Sequence, residues 1–231
     1  MRYKNITEGR FISRPNRFIA KVEIDGKEET VHVKNTGRCK ELLVTGCRVY
    51  LEKSGNPARK TAYDLVAVEK RTESGETLLI NMDSQIPNYV AEEWLKISGM
   101  FSENAVIRRE VTYGNSRFDV YVKDGNRRAF IEVKGVTLEY DGTAMFPDAP
   151  TQRGVKHIRE LMKCTEEGYE AYILFVIQME RVNEFRPNDA TDKEFGKALR
   201  EAEKAGVKIL AQSCVITADS IEIKTPVKVI L

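Results

Sequence analysis

The chain has 231 residues, 37 Lys/Arg against 35 Asp/Glu for a net charge of +2, and a hydrophobic fraction of 42%. That length suits one large domain or two small ones with a real apolar core. No apolar run approaches a membrane span and the opening MRYKNITEGR has no secretory h-region, so a cytoplasmic protein with no membrane partner is expected. The four cysteines, Cys39, Cys47, Cys164 and Cys214, form no CxxC pair, which fits reduced thiols better than disulfides or zinc. With two histidines in the chain, a His-based metal cluster is not expected. The charge is unevenly spread, +7 over residues 1–62 and −5 over the rest. A basic front half beside an acidic back half suits a polyanion held by one part and processed by the other, or simply a solvated basic face.

Residues 1–83 read as all-β. Phe18 to Ile24 and Thr30 to Val33 flank Asp25-Gly26, a hairpin signal. Arg48 to Lys53, Ala62 to Glu69 and Thr77 to Asn81 supply three more strands, separated by Ser54-Gly55-Asn56-Pro57 and Ser74-Gly75. Five short strands in this length predict a small closed barrel of OB type. Arg14, Arg17, Lys34, Arg38 and Lys40, with Phe11 and Phe18 nearby, are candidates for a groove that takes phosphates and stacks rings, with at least one of the two rings in the core instead. Asn35-Thr36-Gly37-Arg38 reads either as backbone N–H groups offered to a phosphate or as a turn that caps a short helix.

A boundary is placed near Asp83-Ser84-Gln85-Ile86-Pro87, which divides the chain into 1–83 and 84–231. Beyond it, Asn88 can cap a helix that turns Val90, Ala91, Trp94, Leu95 and Ile97 inward and is stopped by Gly99. A strand from Ile107 to Tyr113 and a Gly114-Asn115 turn set Glu110 opposite Asp119. Val136 to Pro150 reads as a loop. Thr151 or Gln152 opens a helix to Glu167 with Val155, Ile158, Leu161, Met162 and Thr165 as its buried stripe. Tyr169 to Ile177 is an apolar run covered on both faces. Thr191 and Glu194 form a capping box for the helix bearing Phe195, Ala198, Leu199 and Ala202, and Val207 to Ile216 is a further strand. The order helix, three-strand meander, helix, strand, helix, strand predicts a three-layer α/β/α domain.

The chemistry concentrates in the meander's second hairpin. Phe118, Val120 and Val122 alternate with Asp119 and Tyr121, and Ala129, Ile131 and Val133 alternate with Phe130, Glu132 and Lys134. A two-residue loop at Asp124-Gly125 pairs Asp119 with Phe130, and a four-residue loop pairs it with Glu132. Either even loop gathers Asp119, Glu132 and Lys134 on the face away from the core, because an odd one would bury the carboxylates at a high desolvation cost. Two hard carboxylates beside an ammonium suit Mg²⁺ or Mn²⁺, with the Val133 carbonyl and Glu110 as further candidate ligands and Lys134 as the group that orients an attacking water. Glu92 and Glu93 are weaker candidates. Acid-any-Lys also occurs at Asp25-Lys27 and Glu222-Lys224, so the triplet alone equally describes a surface salt-bridge ladder. Arg153, Lys156 and His157, in the first turn of the following helix, are candidates to grip a phosphate.

Asp119, Glu132 and Lys134 in this setting resemble the PD-(D/E)xK motif of restriction-endonuclease-like nucleases. The fuller strings Arg14-Pro15-Asn16-Arg17-Phe18, Asn35-Thr36-Gly37-Arg38, Ser116-Arg117-Phe118-Asp119, Glu132-Val133-Lys134-Gly135, Phe146-Pro147-Asp148-Ala149 and Arg153-Gly154-Val155-Lys156-His157 resemble the sugar fermentation stimulation protein A (SfsA) family over nearly the whole chain. The resemblance implies an OB-like N-terminal domain, a nuclease-like C-terminal domain and DNA binding. Three readings follow: a DNA-binding protein with a metal-dependent nuclease site, a non-catalytic DNA-binding regulator of sugar metabolism genes, and a sugar- or nucleotide-binding module suggested by the family name alone. DNA is the expected partner in the first two, non-specific or weakly specific, and a homodimer is left open.

Overall fold

The computed structural model describes every residue except Thr36 and Ser74, so the part of the Asn35–Arg38 and Ser74-Gly75 readings that rests on those two lies outside the described residues. The N-terminal half is built from β1 (Ile6–Asn16), β2 (Ile19–Ile24), β3 (Lys27–Val33), β4 (Arg48–Lys53), β5 (Tyr63–Arg71) and β6 (Thr77–Asn81). They lie in the order β3-β2-β1-β4-β5-β6, and a parallel β3–β5 pairing closes the first five into a barrel. This is the OB-type barrel expected, with one correction to its parts. β1, absent from the sequence reading, is the strand that joins the two halves of the barrel, whereas β6 extends the sheet beyond the closed ring. The Asp25-Gly26 turn is as read: Ile24 pairs with Lys27 and both turn residues have positive φ, 50° and 75°.

The C-terminal half begins with α1 (Ile86–Ile97) and continues with β7 (Val106–Tyr113), β8 (Ser116–Asp124), β9 (Arg127–Val136), β10 (Leu138–Tyr140), β11 (Thr143–Phe146), α2 (Gln152–Glu166), β12 (Glu170–Ile177), β13 (Glu184–Pro187), α3 (Lys193–Lys204), β14 (Lys208–Thr217), β15 (Ser220–Pro226) and β16 (Lys228–Val229). The main sheet runs β15-β14-β12-β9-β8-β7, with β12 parallel to both β9 and β14. One face packs Ile86, Val90 and Leu95 of α1 against Val120, Ile131 and Leu174. The other packs Val155, Ile158 and Leu161 of α2 and Phe195 and Leu199 of α3 against Phe130, Ile173 and Phe175. The three layers are thus α/β/α.

Several local expectations are revised. Residues 136–150 are not a loop, because β10 and β11 form a hairpin that continues into a second sheet, β10-β11-β13-β16. Thr151 does cap α2, accepting from the Gly154 amide at 3.0 Å. The cap of α3 is Asp192 rather than Thr191, its carboxylate accepting from the Phe195 amide at 3.0 Å. Asn88 is not the cap of α1, which starts two residues earlier at Ile86 after Gln85. Ile97, expected inward, is 74% exposed.

The two halves share polar and apolar contacts. The buried Gln178 amide donates to Asn81 O (3.2 Å), Asn81 Oδ1 (2.9 Å) and Asp83 O (3.1 Å). Lys70 of the barrel bonds the buried Glu139 carboxylate at 2.6 Å. The four cysteines are free thiols. No helix among the described residues is long and apolar enough to cross a membrane.

Candidate functional site

The β8–β9 hairpin sets the site's geometry. Val120 pairs with Ile131, Tyr121 with Phe130 and Asp124 with Arg127, so the turn is Gly125-Asn126. The Asp124-Gly125 loop with its Asp119–Phe130 pairing is absent, whereas the alternative register that sets Asp119 opposite Glu132 is the one present. The observed turn has two residues but lies one position further on, and its register brings Asp119 across from Glu132. There the backbone ladder ends. Asp119 Oδ2 accepts from the Val133 amide at 2.8 Å, so a side chain takes the place of a peptide carbonyl. Phe118 and Val120, expected on one face, belong to cores on opposite faces, so the strand turns over at Asp119.

That crossing brings Asp119 within reach of α1, whose Asn88 Nδ2 donates to Asp119 Oδ1 at 2.9 Å. Glu132, on β9, meets α2: its Oε1 accepts from Lys134 Nζ and lies 2.5 Å from His157 Nδ1. Arg153 Nε donates to His157 Nε2 at 3.5 Å, which assigns the ring proton to Nδ1. The carboxylate face is therefore not open to solvent as expected. α2 covers it, Glu132 is 2% exposed and His157 6%. Burial of a charge is tolerated here because an ammonium and an imidazole N–H bond it directly.

The two acids are driven in opposite directions. Burial raises the Asp119 pKa and the neighbouring Glu132 charge raises it further, against Lys134, the Val133 amide and Asn88. Burial also acts to raise Glu132, but the His157 and Lys134 bonds outweigh it and hold Glu132 below the usual range. One acid is thus firmly ionised and its neighbour less so. Glu132 Oε2 is buried with no hydrogen-bond partner, and an orphaned carboxylate oxygen of this kind calls for an explanation.

The remaining candidates divide. Glu110 does not join the acids; it is an exposed residue at φ 56°, 3.5 Å from Arg117. Glu92 pairs with Lys96 and Arg109, and Glu93 with the N-terminal amine. Val133 has its side chain in the core and gives its amide to Asp119. Arg153 and Lys156 are exposed in the first turns of α2, Lys156 donating to Asn115 O at 2.9 Å. His157, expected to grip phosphate, instead faces Glu132 in the interior. Asn88 was misjudged as a cap; a polar residue in an otherwise apolar first turn was the available signal.

In the barrel, Arg14 and Lys34 are turned inward rather than toward a ligand. Arg14 donates to the carbonyls of Asn35 (2.6 Å), Arg17 (2.7 Å), Gly37 (2.8 Å) and Arg38 (2.8 Å), which ties those four residues together. Lys34 Nζ lies 3.2 Å from Asp83, 3.6 Å from Asp64 and 3.8 Å from Glu52. Arg17, Arg38 and Lys40 do reach the surface. Phe11 is a core residue at 4% exposure and Phe18 is exposed.

Among the described residues no three His, Cys, Asp or Glu side chains form a ready-made metal cage. The oxygen donors at hand are Asp119 and the orphaned Glu132 Oε2. Two carboxylates are enough for Mg²⁺, which keeps several of its waters, and a hard cation would satisfy the buried oxygen.

Comparison with known proteins covers both halves. Residues 12–80 match the SfsA N-terminal OB domain and residues 85–220 the sugar fermentation stimulation protein RE domain. A sugar fermentation stimulation protein homolog of Desulfitobacterium hafniense is 58% identical over 222 residues, 96% of this chain and 95% of the relative. One from Clostridium beijerinckii is 54% identical over 231 residues and all of both chains. The structure of Pyrococcus furiosus SfsA in complex with Ca²⁺ superposes with a TM-score of 0.86 at 27% identity, covering 100% of this chain and 98% of that one.

Proposed function

Because this chain belongs to the sugar fermentation stimulation protein (SfsA) family across both of its domains, we propose that it is a DNA-binding protein with a Mg²⁺- or Mn²⁺-dependent phosphodiesterase site at Asp119, Glu132 and Lys134. The observation that carries this reading is Glu132 Oε2, a buried oxygen with no partner beside a second carboxylate. The Pyrococcus furiosus relative is described in complex with Ca²⁺, another hard, oxygen-seeking cation. Asp119 and Glu132 would hold the ion. When bound, it would lower the pKa of a water and neutralise phosphate charge.

The protein's own groups do the rest. Asn88 and the Val133 amide fix Asp119, and His157 fixes Glu132 with Oε1 occupied and Oε2 free. Such supporting hydrogen bonds keep ligands in place. Lys134, bonded to Glu132 Oε1, supplies the positive charge that orients a water and stabilises charge on the phosphate in the transition state. Arg153 and Lys156, exposed at the start of α2, offer phosphate contacts where the helix end also favours anions.

The test is a cleavage panel over duplex, single-stranded and branched DNA with Mg²⁺ or Mn²⁺ against chelator, run beside Glu132→Ala. We expect metal-dependent cleavage that falls by about 1,000-fold in the variant. A wild-type protein inert on every form with either metal would overturn the catalytic reading. One observation favours the non-catalytic regulator instead: Lys134 already bonds Glu132, so the acid and base satisfy each other in part. That reading expects DNA binding with a phosphate-set salt slope and no turnover.

A further inference from the structure

The cleavage site does not use the surface where the β1–β2 turn meets the 37–40 loop. A cavity of about 200 Å³ there is lined by Arg14, Arg17, Arg38 and Lys40, with Asn16 and Leu43 among the others and no acidic side chain. Arg17, Arg38 and Lys40 make no ion pair among the described residues. This contrasts with Lys34 and Lys70, each bonded to a carboxylate of this chain.

Phe18, next to Arg17 in the β1–β2 turn, is 54% exposed. The ring is not on a loose tip. The Phe18 amide donates to Asn16 Oδ1 at 2.9 Å, its carbonyl accepts from the Val33 amide at 2.8 Å, and the Arg17 carbonyl accepts from Arg14 at 2.7 Å. A two-residue hairpin turn favours Gly or Asn rather than an aromatic, and an exposed phenyl forgoes the burial that normally places it. Phe18 lies outside the barrel's core, which Phe11 joins.

We propose that this face is a single-strand nucleic-acid subsite: one unpaired base stacks on Phe18 and its flanking phosphates meet Arg17, Arg38 and Lys40. A rigid aromatic ring among unpaired cations recognises the two features common to any single strand, a base face and a phosphate, without reading sequence. A duplex keeps its base faces stacked and offers the ring nothing. The inference rests on the DNA-binding reading for its ligand but not on catalysis.

The test is fluorescence anisotropy with a labelled 12-nucleotide strand and the corresponding duplex in chelator, so that nothing is cleaved. Wild-type, Phe18→Leu and Phe18→Trp are compared after confirming equal melting temperatures. We expect tighter binding of the single strand, about a tenfold loss in Phe18→Leu confined to that strand, and retention in Phe18→Trp. Equal losses on both forms, or none in Phe18→Leu, would overturn the subsite while leaving DNA binding intact. Failure of the wild-type to bind either form would overturn both. Binding as expected without cleavage in the metal panel would leave the subsite standing and remove the nuclease.

Discussion

Two clusters in this molecule are built from nearly the same parts. In the barrel, Lys34 lies among Glu52, Asp64 and Asp83, with His32 Nδ1 2.8 Å from Asp64. In the C-terminal domain, Lys134 lies beside Glu132 and Asp119, with His157 Nδ1 2.5 Å from Glu132. The barrel cluster is saturated. Arg59 bonds both oxygens of Asp64 at 2.6 and 2.8 Å, and Asp83 accepts from Lys34 and from the Gln85 amide. The other cluster leaves Glu132 Oε2 with no partner. A saturated cluster has nothing left to offer a ligand and works as structure, whereas an unsaturated one keeps a group in reserve for something else. Residue types alone do not separate the two; counting hydrogen bonds does.

The comparison is broken most sharply by removing Lys34. If the barrel cluster is structural, Lys34→Met leaves the buried Asp83 without its cation and destabilises the fold by about 3 kcal/mol, read as a lowered denaturant midpoint. If the chain binds DNA as proposed, the salt slope of that binding, measured below that midpoint, should not change, because Lys34 is held by Asp64 and Asp83. A slope lowered by about one charge with stability intact would return Lys34 to the DNA-binding set.

A smaller effect comes from pH. Burial acts to raise the Asp64 pKa, but bonds from Arg59 and His32 and the charge of Lys34 bring it from 3.8 down to about 2. A carboxyl with a depressed folded-state pKa contributes stability that is fully present above its unfolded value and is lost as pH falls through the folded value. The window is therefore about pH 4 down to about pH 2, and the shift is worth about 2 kcal/mol. Acid titration of stability should show this slope in wild-type and lack it in Asp64→Asn. An unchanged slope in the variant would mean the cluster does not anchor the barrel.

Much of the architecture could be read from alternation and punctuation. The Asp25-Gly26 turn, the buried run of β12 and the apolar stripes of α2 and α3 are local patterns that packing then used. β1 escaped because ITEGRFISRPN buries Phe11 alone, so no period of two marks it. β10, β11, β13 and β16 escaped because strands of two to four residues carry too few positions for any period. At the site, alternation was enough to set Glu132 and Lys134 on one face, but the turn-over of the strand at Asp119, which separates Phe118 from Val120, left no mark in it. What covers them was not legible, because the burial of His157 and the inward turn of Lys34 depend on partners distant in sequence. Asn88 read as a cap for the same reason: its bond to Asp119 spans 31 positions and leaves no local trace.

Asn88 also offers the finest test of the contrast. Its amide is the only side-chain hydrogen-bond donor to Asp119 among the described residues, and the other oxygen is held by a backbone N–H that mutation cannot remove. If Asp119 is a metal ligand, Asn88→Ala frees it to rotate and weakens Ca²⁺ or Mg²⁺ binding by about tenfold, measured by calorimetry with no DNA present. Asn88→Asp should weaken it less than the loss of its hydrogen bond alone would suggest, since the new carboxylate adds a hard oxygen while repelling Asp119. His32→Ala, the matching change in the saturated cluster, should leave metal affinity unchanged. Equal affinity in wild-type and Asn88→Ala would mean that Asp119 is held for the sake of the β8–β9 junction rather than for an ion, and the two clusters would then differ in hydrogen-bond count but not in purpose.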